Sequence, residues 1–412
     1  MEEHIVIIGG GLAGAKAAEG ARHAGYDGPI TLVAAEDELP YERPPLSKDL
    51  LAGESDFGSA VVNDNEWFGD NSVDLRLGTR VASLDRDSHT AIVDEGDEIP
   101  WTKLILATGS SPDRLDLPGS DLDGIHTLRS IDDARELRSR FAEGPDLLIV
   151  GSGWIGCEVA ATARRAGCNV TVATKDDLPL SGVLGDEFAR YLFDLHREHG
   201  VQFATGITVE AYGGDKGVES VTLSDGSEHP ASLVIEAIGV RPNIGLAEIA
   251  GLEIDDGVLV DETLRTSEPD IWAVGDIANH LHPFYGRRVR SEHWSVALNQ
   301  GLHAGRGAAG SIEEYDRLPM FFTDQYEMGM EYRGDAPDAD DVILRGTTKE
   351  GEFLVFYLDD GIVSAVANVN VWDVGDDVER ILRARVSPDR RKIADWETPL
   401  SQLADAAQRG RV

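Results

Sequence analysis

Two glycine runs, Gly9-Gly10-Gly11-Leu12-Ala13-Gly14 and Gly151-Ser152-Gly153-Trp154-Ile155-Gly156, constrain this chain more than any other feature. Each follows a short apolar stretch, residues 4–8 in the first case and 147–150 in the second. Each precedes a stretch of helical character, residues 15–24 and about 157–166. A second apolar stretch follows at 30–34 and at 169–173. Apolar runs of this length bounded by glycine fit buried parallel strands. The spacing predicts a strand–turn–helix–strand unit twice, the two starts about 140 residues apart. One such motif is weak evidence. Two in matching context are strong, because each glycine has its own steric task. The first makes the tight turn, the second lets a pyrophosphate approach the backbone, and the third lets helix pack on strand. Free N–H groups and the helix dipole then favour the phosphates. The chain is expected to bind two dinucleotides.

Beyond residue 320 the pattern changes. Strand-like stretches at 320–331, 353–357 and 362–369 precede a helical region at about 376–384, with no glycine fingerprint. The expected fold class is α/β, with two Rossmann-like dinucleotide-binding domains and a C-terminal α+β domain that ends in a polar tail. With 412 residues, two or three domains are expected. The first is discontinuous, 1–112 with 245–320; the second spans 113–244 and the third 321–412. A net charge of −38 repels phosphate backbones and argues against nucleic-acid partners. So acidic a chain with so few lysines fits a salt-rich cytoplasm and ordinary solubility alike. No stretch nears the roughly 20 apolar residues of a membrane span, and the acidic start lacks a secretory pattern. The expected location is cytoplasmic. The two cysteines, Cys157 and Cys168, have neither metal nor redox-pair spacing and are expected to be buried thiols. No metal site is expected.

Three further segments carry chemistry. Leu39-Pro40-Tyr41-Glu42-Arg43-Pro44-Pro45-Leu46-Ser47-Lys48 is stiffened by proline and is expected to bring Arg43 and Lys48 close to the first nucleotide site. An apolar strand at 271–274 runs into Gly275-Asp276. Glycine admits a close ligand and the carboxylate accepts hydroxyl protons, although Asp276 can equally cap a helix. The third, the run Phe322-Thr323-Asp324-Gln325-Tyr326, carries its signal only through the resemblance that follows.

Together with Leu106-Ala107-Thr108-Gly109, Ala237-Ile238-Gly239-Val240-Arg241-Pro242-Asn243, Ile271-Trp272-Ala273-Val274-Gly275-Asp276 and Glu292-His293-Trp294, these segments resemble the ferredoxin-reductase branch of the two-dinucleotide flavoprotein reductases. That branch includes the putidaredoxin and rubredoxin reductases and the reductase components of aromatic dioxygenases; apoptosis-inducing factor is a relative. The resemblance covers nearly the whole chain. It implies FAD on the first glycine run and NADH or NADPH on the second. The residues expected to bind the two cofactors are Gly9, Gly11, Leu12, Ala13, Gly14, Glu36, Arg43, Lys48, Val81, Ala107, Thr108, Gly109, Arg129, Asp276 and Trp294, with Gly151, Gly153, Trp154, Ile155, Gly156, Thr174, Lys175 and Gly239. Lys48, Glu158 and Trp294 are the expected catalytic residues. Lys48 would stabilise charge on the reduced flavin with Glu158 as its partner; by its place in the helix Glu158 could instead be a first-turn acid favoured by the dipole.

The chain departs from the family in three places. Ala35-Glu36 stands where two acids are common, leaving Glu36 as the ribose acid. Thr174-Lys175 replaces the acid that binds the 2′-hydroxyl, so NADPH is expected to serve at least as well as NADH. Phe322 stands where tryptophan is common. Relatives that reduce disulfides or peroxides carry cysteine after the first unit, and none stands between Glu36 and Leu51. The expected activity is therefore hydride transfer from NAD(P)H to flavin, then single electrons to a small ferredoxin or rubredoxin. The alternatives are an NAD(P)H oxidase or quinone reductase, or a flavin-based redox sensor. Arg287, Arg288 and Arg290 are candidate docking cations, set against pairing with nearby acids, and the assembly is expected to be a monomer or homodimer.

Overall fold

The computed structural model describes residues 3–94, 96–387 and 389–410. The chain forms two compact units. One comprises Met1–Arg43, Phe57–Ser111 and Val240–Pro319; the other comprises Pro44–Asp56, Pro112–Gly239 and Met320–Val412.

The first unit is built on five parallel strands in the order Ile271–Ala273, Lys103–Leu106, Ile5–Ile8, Ile30–Val33 and Val73–Arg76. All four residues of Ile5–Ile8 are buried, which explains an apolar run without alternation. Strand order reverses beside Ile5–Ile8, the place where open parallel sheets leave a crevice at their carboxyl ends. Val73–Arg76 returns to Lys103–Leu106 through an antiparallel meander, Val81–Asp85, Thr90–Val93 and Glu98–Pro100. Helix Leu12–His23 follows the first glycine run and meets helix Trp294–Ala308 from the far end of the unit. Small residues set that approach. A Cβ at Gly305 would lie 2.0 Å from the Ala17 carbonyl oxygen, and one at Gly301 would lie 2.3 Å from that of Ala13.

The second unit carries another five-stranded parallel sheet, ordered Gln202–Ala204, Asn169–Ala173, Asp146–Val150, Leu233–Glu236 and Ile125–His126. Its reversal lies beside Asp146–Val150, where the second glycine run begins. The same unit holds an antiparallel sheet ordered Met320–Gln325, Met328–Gly334, Ile362–Val369, Glu352–Asp359 and Asp341–Thr347. Phe188, Leu192 and Leu195 of helix Asp186–Glu198 join Tyr332, Phe353 and Val355 in one core, with Phe188 edge-on to Phe353 at 5.2 Å.

Three expectations are corrected. Both glycine helices begin three residues earlier than the apolar pattern suggests, at Leu12 and Trp154, because the last residues of each glycine run already form the first turn. The strand Asp341–Thr347 was not anticipated; its exposed and half-buried positions give little apolar signal. The expected polar tail contains helix Leu400–Gln408, which buries Leu403, Ala404 and Ala407 and packs on helix Gly375–Ala384. Leu400, Leu403, Ala404 and Ala407 recur at helical spacing and give one apolar face.

Two predictions follow from packing and burial in the first unit. Gly305→Ala pushes a methyl into backbone and lowers stability by about 1–3 kcal/mol; a thermal melt that is unshifted would refute so close an approach. His280 is buried, its Nε2 has no hydrogen-bond partner, and burial with the nearby His282 lowers its pKa to about 3. The unfolded chain titrates near 6.5 and so binds this proton first as pH falls. This contribution is complete above about pH 6.5 and has dropped by about 2 kcal/mol at pH 5. In His280→Phe, the loss of melting temperature between pH 7 and pH 5 should be smaller than in the parent.

Candidate functional site

The first glycine run divides its tasks as its sequence implies. Gly9 has φ +126°, and a Cβ there would lie 2.0 Å from the Ala107 carbonyl oxygen. A Cβ at Gly14 would lie 1.9 Å from the Gly9 carbonyl oxygen, so the third glycine seats helix on turn. At Gly11 a Cβ meets no protein atom within 4 Å. Gly11 opens a helix with no side-chain cap and no acid in its first turn, and Leu12 and Ala13 are buried in that turn. This is an anion cradle made of backbone.

Around it, the first unit gathers most of the expected partners. Thr108 Oγ1 donates to the Asn243 carbonyl at 2.7 Å, and Asn243 Nδ2 donates back to the Thr108 carbonyl at 3.0 Å. Asp276 is buried in a short helical turn and accepts from Ser110 Oγ at 2.5 Å. Glu36 is held by Arg43 at 2.8 Å and by the Tyr41 hydroxyl at 2.5 Å, a brace that fixes the candidate ribose acid. Val81 is a core residue at the start of its strand. Half-buried Trp294 opens its helix, and His293 before it is lowered to about 4 by burial, against the opposing pull of Asp276.

In the second unit the same division recurs. Gly151 has φ +101° and approaches the Ala237 carbonyl; Gly156 backs onto Gly151, and a Cβ at Gly153 meets nothing within 4 Å. Ile155 is exposed in the first helical turn, whereas the Trp154 ring packs against Phe321 at 4.8 Å. The Gly239 carbonyl accepts from the Asp113 amide at 2.9 Å. The Arg129 amide bonds to Asp133 where helix Ile131–Phe141 is capped. Buried Thr174 hydrogen-bonds Ser152 Oγ at 2.8 Å. Lys175 is exposed and shares an open cleft of about 340 Å³ with Asp176, Asp177 and Asp186.

Lys48 and Glu158 come together within this second unit. The Pro44–Asp56 segment joins the unit, and Lys48 Nζ lies 2.8 Å from Glu158 Oε1 with both side chains largely buried. Glu158 is the fifth residue of its helix and not a first-turn acid, so packing and not the dipole accounts for its place. The same ammonium lies 5.6 Å from the centre of the Phe322 ring. Two residues not anticipated as ligands of this pair complete it. Thr323 Oγ1 donates to Glu158 Oε1 at 2.6 Å and Ser47 Oγ donates to Oε2. Both lie in segments singled out from sequence, but a hydroxyl pointing at a carboxylate 111 or 165 residues away leaves no local signal.

The arginines proposed for docking are largely used within the first unit. Arg288 donates to the Val260 and Asn279 carbonyls, Arg290 pairs with Asp256 and Glu292, and Arg287 lies over the Tyr285 ring.

Two glycine turns on two parallel sheets, each with an uncapped helix start, match a known pattern. The pyridine nucleotide-disulphide oxidoreductase family model matches residues 3–301, and the reductase C-terminal model matches residues 320–404. The chain belongs to the pyridine nucleotide-disulphide oxidoreductase family. It is 38% identical to the ferredoxin–NAD(+) reductase component of the anthranilate 1,2-dioxygenase system of Burkholderia cepacia, over 95% of this chain and 97% of that protein. It is 34% identical to putidaredoxin reductase of Pseudomonas putida, over 98% of each. Among solved structures, the covalent putidaredoxin reductase–putidaredoxin complex matches with a TM-score of 0.95 at 33% identity, over 98% of this chain and 99% of that one. Each open cradle leaves room for the pyrophosphate of a dinucleotide. The Gly11 cradle with the Glu36 brace and Asp276 suits FAD, and the Gly153 cradle suits a nicotinamide nucleotide.

The open position at Gly11 yields a test. A Cβ at Gly11 meets no protein atom within 4 Å, so Gly11→Val is expected to intrude on bound FAD and not on the fold. FAD content of the purified protein should fall by about tenfold or more, a loss of at least ~1.4 kcal/mol in binding, while the far-ultraviolet circular dichroism is unchanged. Full flavin occupancy in that variant would remove the assignment.

Proposed function

We propose that this chain is the reductase of an electron-transfer pair. It takes a hydride from NAD(P)H by way of FAD and delivers electrons singly to a small iron–sulfur carrier of the ferredoxin class. The observation that carries this reading is the state of its cysteines. Cys157 and Cys168 are both buried and free, and burial raises their thiols, Cys168 to about 11 and Cys157 further. Neither is a thiolate at neutral pH, and no cysteine stands between Glu36 and Leu51. Electrons therefore have no dithiol to pass through and must go to an outside acceptor. The ferredoxin reductases among its relatives supply the class of that acceptor.

Bound FAD supplies the conversion from a two-electron donor to one-electron delivery. The protein's share is position and field. An ammonium carries three donors, and Glu158 and the Pro44 carbonyl engage two of Lys48's. We assign Lys48 to stabilising negative charge during hydride transfer, Glu158 to holding Lys48, and Trp294 to the flavin site. Residues 1–112 with 245–320 form the FAD domain, 113–244 the nicotinamide domain, and 321–412 the C-terminal domain. Among the described residues no helix is long and apolar enough to cross a membrane, and we place the enzyme in the cytoplasm.

The cleft that Lys175 lines bears on nucleotide choice, which Thr174 and Lys175 alone leave open to NADPH. One lysine there faces three carboxylates, Asp176, Asp177 and Asp186. Their field opposes a 2′-phosphate, so we infer that NADH is the better substrate.

Three measurements check these readings. Lys48→Ala should slow flavin reduction by on the order of tenfold to a hundredfold while FAD content is retained; stopped-flow bleaching at the parent rate would remove Lys48 from the step. The ratio of kcat/KM for NADH to that for NADPH should exceed about ten, and a preference for NADPH overturns the cleft argument. Turnover with oxygen or a quinone alone should be slow and rise strongly when a ferredoxin is added. Equal turnover without it would point to an oxidase or quinone reductase.

A further inference from the structure

The Lys48–Glu158 pair is one end of a longer buried chain of hydrogen bonds. Thr323 Oγ1 donates to Glu158 Oε1 at 2.6 Å. Gln325 Nε2 donates to Thr323 Oγ1 at 3.1 Å, and Gln325 Oε1 lies 2.8 Å from His196 Nε2. Thr323 and Gln325 are each 1% exposed, and His196 is 0% exposed. Three separate segments meet here. Glu158 stands on helix Trp154–Arg165, His196 on helix Asp186–Glu198, and Thr323 and Gln325 are alternate residues on one face of strand Met320–Gln325.

The chemistry of each group fixes the direction of the chain. An amide nitrogen only donates, so Thr323 Oγ1 accepts from Gln325 and gives its own proton to Glu158. An amide oxygen only accepts, so His196 carries its proton on Nε2, with Nδ1 bare. That nitrogen has no hydrogen-bond partner, and burial lowers the ring to about 4, which keeps this tautomer neutral through neutral pH. Every dipole in the chain therefore points its positive end at the Glu158 carboxylate. Bonds aligned this way strengthen one another in a low-dielectric interior. Because an amide sits in the middle, the chain does not pass a proton; it holds a charge.

We propose that Thr323, Gln325 and His196 are positioning residues that fix the Glu158 carboxylate, and through it the Lys48 ammonium, for hydride transfer. This rests on the role given to Lys48 and Glu158 above. The nearby Asp324 makes such fixing useful. Its carboxyl is raised first by burial, and Lys48 and Glu158 act on it with opposite sign. A loosened Glu158 would leave Lys48 a second carboxylate to turn toward.

The test is a double-mutant cycle on the FAD-loaded enzyme, read as the stopped-flow rate of flavin reduction by NADH. Thr323→Val keeps the shape and removes the donor. It should slow reduction about three- to tenfold, appear in kcat more than in KM, and be largely reversed in Thr323→Ser. Gln325→Leu and His196→Leu should slow it by smaller factors in the same direction. On a Glu158→Gln background, Thr323→Val and Gln325→Leu should each add almost nothing, because the group they act through is gone. Equal slowing in both backgrounds, or no slowing in any single variant with full flavin content, overturns the proposal. If Glu158→Gln alone reduces at the parent rate, the assignment of the Lys48–Glu158 pair itself has failed, and the proposal with it.

Discussion

A carboxylate that is 5% exposed has to be matched by its surroundings, and Glu158 is the charge on which the second unit converges. An isolated buried carboxylate would take up a proton or unfold its neighbourhood. Lys48, Ser47 and Thr323 meet its two oxygens from the Pro44–Asp56 segment and from the C-terminal sheet. Thr162, one turn along the same helix, donates to the Ser47 carbonyl at 2.8 Å and ties that segment down again. Removing one partner of such a pair is strongly destabilising, while an apolar replacement of the whole set is often neutral or better. The presence of four polar groups here, Glu158, Lys48, Ser47 and Thr323, is therefore weak evidence for stability. It agrees better with the role proposed above, a fixed cation at Lys48.

The parts of the fold that were legible in the sequence are those fixed by local sterics. Gly9 and Gly151 are needed because a Cβ there would strike the carbonyl of Ala107 or Ala237, each just past the end of a neighbouring strand, and that need repeats in the same order in both units. Strand Asn169–Ala173 has the bounds expected from its apolar run because both its neighbours are parallel strands and its core faces are covered. The antiparallel meander Val209–Gly214, Val218–Leu223 and Glu228–Pro230 was not legible. Its strands are short and lack strict alternation of buried and exposed residues, and turns such as Asp225-Gly226 are common in any loop.

The candidate site divides along the same line. Backbone cradles are written in glycine and can be read directly. Asp276 could be read because a strand ending in Gly-Asp is a local pattern. Lys48 and Glu158 were legible only through resemblance, since 110 residues separate them in the chain. His196 was not legible at all. It belongs to the buried face of an amphipathic helix, where its spacing from Phe188, Leu192 and Leu195 marks it as one more core position. What distinguishes it is Gln325, 129 residues away, and no periodicity reports a partner at that distance.

Charge bears on delivery as well as on chemistry. A chain of net charge −38 sets up a field that repels an acidic carrier at long range. The arginines that could have offset it locally are bound into the first unit, Arg288 to backbone carbonyls and Arg290 to two carboxylates. Short-range fit then has more to supply, and salt screens the long-range repulsion beyond about 10 Å. The same acidic field presses on the nucleotide cleft, where Asp176, Asp177 and Asp186 surround the single charge of Lys175. One surplus of carboxylates thus acts at both ends of electron flow. On the nucleotide choice proposed above it disfavours the extra phosphate of NADPH on entry, and on exit it sets a repulsion that contact with the carrier has to offset.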